Sequence, residues 1–138
     1  MKTRRYLIYV DGGARGNPGP AGIGIVICDT ERKKVREVYK YIGEATNNVA
    51  EYSALICGLE EALTLDAEEI VVHMDSELIA KQLSGEYRVK NADLKLLFDR
   101  ATEALRHFSL FEIKHINRSK NKEADKLVNK AINLASLF

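Results

Sequence analysis

Cysteine is scarce in this chain: two in 138 residues, Cys28 and Cys57, both in apolar surroundings and without C-x-x-C spacing. That argues against a disulfide framework and leaves both thiols as small buried hydrophobes of a reducing compartment. Long apolar runs are missing as well. The N-terminal MKTRRYLIYV offers only five apolar positions, Tyr6 to Val10, before Asp11. This is too few for a signal-peptide core and far too few for a bilayer span, so a cytoplasmic protein with no membrane partner is expected. Net charge is almost absent, +1 at neutral pH, so the whole-molecule balance argues neither for nor against a polyanionic partner. There is no internal repeat, low-complexity tract or interdomain linker. GGARGNPG lacks the G-K-[ST] of a P-loop, and no G-x-G-x-x-G follows a strand. What remains, at 46% hydrophobic residues, is one domain over residues 1–138 with enough apolar content for a real core.

Both prolines and five of the nine glycines fall in one stretch, YVDGGARGNPGPAG, residues 9–22. Glycine and proline there spell a turn-forming loop, with Asp11 at its mouth directly after the strand-like YLIYV. A carboxylate closing an apolar strand is costly unless something cationic meets it, and the small residues behind it would let a large ligand come close.

Alternation marks strands at residues 5–10 and 21–28, and the polar DTERKK leads into a third at about 35–42, an antiparallel meander. From Asn47 the period becomes helical through Val49, Tyr52, Ile56, Leu59 and Leu63, with Thr46 placed as N-cap. Ile70 to Met74 reads as a strand buried on both faces. Helices are expected at Glu77–Leu83 and at Ala92–Leu105, the latter capped by Asn91; a last strand at Ser109–His115 precedes a helix at Asn121–Ala135. The order β β β α β α α β α is an α/β fold with a mixed sheet.

Four acids lack local partners. Asp11 and Asp75 each close an apolar strand, the end at which sheets of this kind gather ligands. Glu51, read as lying in the first turn of its helix, is followed at i+3 and i+4 by Ala54 and Leu55, and Asp125 by Val128 and Asn129, so neither has a basic residue at those positions. Each alone has a structural explanation: complementing a helix dipole for Glu51 and Asp125, capping the next helix for Asp75, an Asx-turn for Asp11. Jointly, two strand ends and two helix starts can converge, and four converging carboxylates would repel without cations. All-oxygen ligands suit Mg²⁺ or Mn²⁺, and no His/Cys cluster offers a zinc site.

YVDGGARGNPGPAG, ATNNVAEYSALICGLEEAL, VVHMDSE and NKEADKLVNKA resemble, in this order and over essentially the whole chain, the four acidic motifs of type 1 ribonuclease H. Each block is a modest signal; together they are specific. The resemblance implies a five-stranded mixed sheet flanked by helices and a monomer that cleaves the RNA strand of an RNA/DNA hybrid, leaving 5′-phosphate and 3′-hydroxyl ends. It also implies two Mg²⁺ ions, with Mn²⁺ as a substitute, held by Asp11, Glu51, Asp75 and Asp125, with Asp11 bridging. Two cations about 3.5–4 Å apart can serve both attacking and leaving oxygens of an in-line displacement. Gly12, Gly13 and Asn48 are implied beside the RNA strand, where short groups and bare backbone suit a 2′-hydroxyl in a shallow minor groove. Asn17, Thr46 and Asn47 are candidates for the DNA strand, Thr46 doubling as the helix cap. A noncatalytic binding module and a resolvase- or integrase-like DNA nuclease share such a fold; loss of an acid would mark the first, and the TNN and DGG elements favour RNA recognition over the second.

The chain also departs from the pattern. His115 stands ten residues before Asp125, where many members carry an auxiliary histidine, but it reads as the last residue of FSLFEIKH, leaving Arg118 of the short NRSK loop as the preferred auxiliary group. His73 reads as a core residue. Glu77 replaces a glutamine that often touches the minor groove, and SGEYRVKN is too short for the basic handle of some bacterial members. Lys114, Arg118, Lys120, Lys122, Lys126 and Lys130 form a candidate phosphate-facing patch instead.

Overall fold

The computed structural model describes residues 3–137. Strands β1 (Arg5–Ala14), β2 (Gly19–Cys28) and β3 (Lys34–Ala45) form the meander. Helix α1 (Asn47–Thr64), strand β4 (Glu69–Met74), helices α2 (Glu77–Leu83) and α3 (Ala92–Leu105), strand β5 (Leu110–His115) and helix α4 (Lys122–Ala135) follow. The sheet runs β3-β2-β1-β4-β5, antiparallel within the meander and parallel from β1 through β4 to β5. This is the five-stranded mixed sheet expected.

One face carries the main core. Ile8 and Val10 of β1, Ile25 and Ile27 of β2 and Val72 of β4 pack against Tyr52, Leu55 and Leu59 of α1, with Ala101 and Leu105 of α3 closing the layer. The opposite face of β2 is cut back to glycine so that α4 can lie on it: a Cβ added to Gly24 would stand 2.4 Å from the Ala124 carbonyl oxygen, and one added to Gly22 3.0 Å from that of Val128. Strand β2 is therefore buried on both faces, its isoleucines toward α1 and its glycines beneath α4.

Three local readings are corrected. Asp11 does not close its strand: β1 continues to Ala14, Asp11 pairs with Gly24 inside the ladder, and the loop shrinks to residues 15–18, shut by the Arg15 amide donating to the Pro20 carbonyl at 2.9 Å. Gly12, Gly13 and Ala14 read as loop only because they lack apolar side chains; opposite Ile23, Gly22 and Ala21 they extend the ladder. Glu51 lies beyond the first turn of α1, because the helix begins at Asn47. Asp75 does not cap α2; the Ser76 hydroxyl does, accepting from the Ile79 amide at 3.2 Å. A single 3₁₀ turn, Arg118–Lys120, also precedes α4.

Candidate active site

Asp11 is held at the point where α1 comes closest to β1. A Cβ on Gly12 would fall 2.1 Å from the Ala50 carbonyl oxygen and 2.7 Å from the Glu51 nitrogen, so only glycine permits the crossing. The residues flanking that contact, Asp11 on the strand and Glu51 on the helix, are thereby set side by side. Asp75 follows β4, parallel neighbour of β1, and joins them: carboxylate oxygens of Asp11, Glu51 and Asp75 all lie within 4.8 Å of one another.

Such a cluster cannot hold full charge unaided. Burial pushes the Asp11 carboxyl up from 3.8 to about 8, with Asp75, Asp125 and Glu51 adding repulsion in the same direction. Glu51 is also raised, again chiefly by burial; a hydrogen bond from Ser76 and the charge of Arg118 pull the other way. The donors are all hard oxygens, converging and electrostatically frustrated, and fit a divalent cation of the Mg²⁺ type.

Asp125, in the first turn of α4, lines the same cavity of about 440 Å³ and meets Asp11 through both charge repulsion and a carboxyl–carboxyl hydrogen bond, without being mutually within 4.8 Å of all three other acids. Arg118 faces it at 3.6 Å. Between them lies Asn121, which reads as an ordinary helix start and makes no side-chain cap. Its side chain turns inward instead, 1% exposed, and its amide nitrogen donates to the Val10 carbonyl at 2.9 Å and to Asp75 Oδ2 at 3.3 Å. Asn121 thus ties the entry of α4 to both acid-bearing strands, leaving its Oδ1 without a partner. A helix-start asparagine whose amide is turned inward was a signal that spacing alone could not separate from capping.

The substrate-contact candidates form a second network. Asn47 Oδ1 accepts from the Ala14 amide at 2.8 Å, and Asn17 Oδ1 accepts from the Asn47 amide at 3.1 Å, lashing the β1–β2 loop to the start of α1. Thr46 caps that helix, accepting from the Val49 amide at 3.2 Å. Asn17 and Asn47 are exposed and Asn48 half-buried beside them. Gly12 and Gly13 both border the cavity; the Cβ position of Gly13 is in ordinary contact with Val128 at 3.7 Å, and Gly12 is buried beneath α1. Helix packing alone already requires Gly12 to be bare.

Other candidates lie apart. His115 ends β5, exposed, near enough to Glu77 to favour that carboxylate's charge, and does not line the acid cavity. Glu77 is exposed and paired with Lys81 at 2.9 Å. His73 stacks on Tyr9, centroids 4.2 Å apart, and donates Nδ1–H to the Ile8 carbonyl. The basic patch is dispersed: Lys114 pairs with Glu112, Lys130 sits over the Tyr39 ring, and Lys120 and Lys122 line a separate groove, leaving Arg118 as its one member on the acid cavity. Arg15 and Asn129, not singled out by the sequence, line that cavity as well.

Residues 9–131 match a protein family described as reverse transcriptase-like. A bifunctional protein of Mycobacterium tuberculosis is 43% identical over 96% of this chain and 36% of its own length. Ribonuclease HI of Halobacterium salinarum is 42% identical over 93% of this chain and 64% of its own. The chain thus spans less than two thirds of either relative. The crystal structure of RNase H1 from that archaeon matches with a TM-score of 0.92, covering 94% of this chain and 98% of that one. LC11-RNase H1, from compost, solved in complex with an RNA/DNA hybrid, matches with a TM-score of 0.89 at 48% identity, covering 94% of this chain and 98% of that one.

Proposed function

Because the chain belongs to the type 1 ribonuclease H family, we propose that it hydrolyses the RNA strand of RNA/DNA hybrids, acting as a single catalytic domain and a monomer and leaving 5′-phosphate and 3′-hydroxyl ends. The observation that carries this reading is the meeting of Asp11, Glu51 and Asp75 within 4.8 Å, with Asp125 on the same cavity. These four would hold two Mg²⁺ ions, Mn²⁺ being a workable substitute. When bound, divalent metal supplies an activated water and charge stabilisation at the leaving oxygen.

The chain's own residues do the rest. Asp11, whose carboxyl is pushed up to about 8 in the metal-free cluster, carries the charge that burial and then repulsion suppress and a cation would restore. Asn121 keeps Asp75 oriented against β1. Gly13 and Asn48 present little bulk beside the acids, suiting the 2′-hydroxyls of an RNA strand in a shallow minor groove. Asn17, Thr46 and Asn47, whose side-chain oxygens are occupied by the loop–helix tie, leave the asparagine NH₂ groups for phosphate of the DNA strand. Arg118 is the auxiliary group beside Asp125, poised to neutralise charge on the departing phosphate.

The test is cleavage of an end-labelled hybrid beside matched RNA/RNA and DNA/DNA duplexes, with Mg²⁺, Mn²⁺ or chelator. Only the hybrid's RNA strand is expected to be cut, with metal, and not by Asp11→Asn. Cutting of duplex DNA, or activity in that variant, would overturn the reading. Arg118→Ala is expected to lower kcat at least tenfold and His115→Ala less than threefold, a difference of about 0.7 kcal/mol or more in transition-state stabilisation.

A further inference from the structure

We propose that Arg15 is a second phosphate-binding residue of this site, gripping the cut strand at the phosphate next to the one held over the acids; this rests on the hybrid-cleaving function proposed above. Arg15 lines the cavity that holds Asp11, Glu51, Asp75 and Asp125, and Arg118 is the other arginine there. Among the described residues, no carboxylate lies within ion-pair distance of it, although four line the same cavity. Its one side-chain hydrogen bond is long and neutral, Nη2 to Asn129 Oδ1 at 3.4 Å. The guanidinium is therefore exposed, charged and uncommitted, the state in which its planar fork can take a phosphate bidentately.

Its position is fixed where it matters. The Arg15 amide donates to the Pro20 carbonyl at 2.9 Å, the preceding Ala14 amide is held by Asn47 at 2.8 Å, and a Cβ on Gly19 would fall 2.0 Å from the Arg15 carbonyl oxygen. A tethered backbone carries an exposed charged tip. Register supplies the second half of the inference. Arg118 meets α4 at Asp125 and Arg15 meets it at Asn129, four residues on, about 6 Å along the axis. Two guanidinium groups on successive turns of one helix, above one cavity, match the repeat of neighbouring phosphates on one strand. Gly13, lying between Asp11 and Arg15 along β1, places no side chain in the way.

Arg15→Ala, Arg15→Lys and the control Arg106→Ala, at the far end of α3, would be compared with the wild type in steady-state cleavage at several salt concentrations. For Arg15→Ala the expected result is KM raised about five- to tenfold, kcat within twofold, and a plot of log(kcat/KM) against log[salt] shallower by about one unit. Arg15→Lys should recover the salt slope but only part of KM, because a point charge cannot fork. Hybrids carrying a single neutral methylphosphonate in the cut strand identify the contact: one position next to the scissile phosphate should penalise the wild type and leave Arg15→Ala indifferent. Unchanged KM and salt slope, a loss confined to kcat, or a penalty mapping only to the DNA strand would each overturn the assignment. Hybrid binding measured by fluorescence anisotropy in chelator keeps the two proposals separable. Weaker binding by Arg15→Ala supports the contact even if no cleavage is found, and equal binding defeats it even if cleavage is.

Discussion

At the scale of single residues the site is a charge problem. Asp11 keeps its proton in the folded, metal-free protein up to about pH 8, whereas the unfolded chain releases it near 3.8. Folding therefore binds a proton across that window. The stability linked to this group is intact below about pH 4 and is lost as the pH rises to about 8. Asp11→Asn removes the penalty without removing volume. In chelator at pH 8 its thermal midpoint is expected about 5 °C above that of the wild type, the gap closing toward pH 4 and shrinking when Mg²⁺ stabilises the wild type alone. Calorimetry over that pH range checks both signs. Asn121 obeys a different rule, that of a buried polar group with specific partners. Asn121→Ala should cost about 2 kcal/mol by denaturant unfolding and lower cleavage at least tenfold. Asn121→Asp, placing another carboxylate against Asp75, should be worse on both counts.

At the scale of elements, glycine decides how closely the helices approach the sheet. Gly12→Ala would drive a Cβ against backbone atoms of Ala50 and Glu51, and backbone cannot rotate away. A loss of at least about 3 kcal/mol is expected, with activity lost even in the folded fraction because α1 must retreat and carry Glu51 from Asp11. Gly13→Ala meets only Val128 at 3.7 Å, so it should fold normally and show its effect in KM. Unfolding curves and kinetics on the two neighbours separate packing from substrate contact. The same pair shows how far elements were readable. Helices α2 and α3 were legible to the residue, since caps at Asn91 and the periodic apolar faces are local signals. The end of β1 was not, because a glycine ladder is recognised only by the strand it pairs with.

At the scale of the whole molecule, a net charge of +1 provides little long-range attraction, and the cations on the acid cavity are Arg15 and Arg118. The salt dependence of kcat/KM should therefore be modest, a log–log slope of about −2 to −4, and not the steep fall of a protein with a broad basic face. Measurement across 50–200 mM KCl is the check, and a slope steeper than about −6 would mean that dispersed lysines such as Lys120 and Lys122 also reach phosphate. Among the described residues no helix is long and apolar enough to cross a membrane.

By itself the sequence determined the order and type of the elements, the mixed sheet and the identity of four acids without local partners, because period, capping and motif spacing are written within a few residues of one another. The tertiary structure decided how those acids meet: Asp11, Glu51 and Asp75 lie mutually within 4.8 Å, while Asp125 reaches Asp11 and faces Arg118. It decided that Gly12 serves the α1–β1 crossing, that His115 ends β5 without lining the acid cavity, and that the expected basic patch is dispersed. It also brought forward Asn121, Ser76 and Arg15, residues with common local roles in cap and turn. Partners of theirs lie on other elements, 111 positions away for Asn121 and Val10 and 114 for Arg15 and Asn129. Charge repulsion, close backbone approach and a buried amide's choice of acceptor are relations between distant segments, so they come into being only when the sheet and its helices pack.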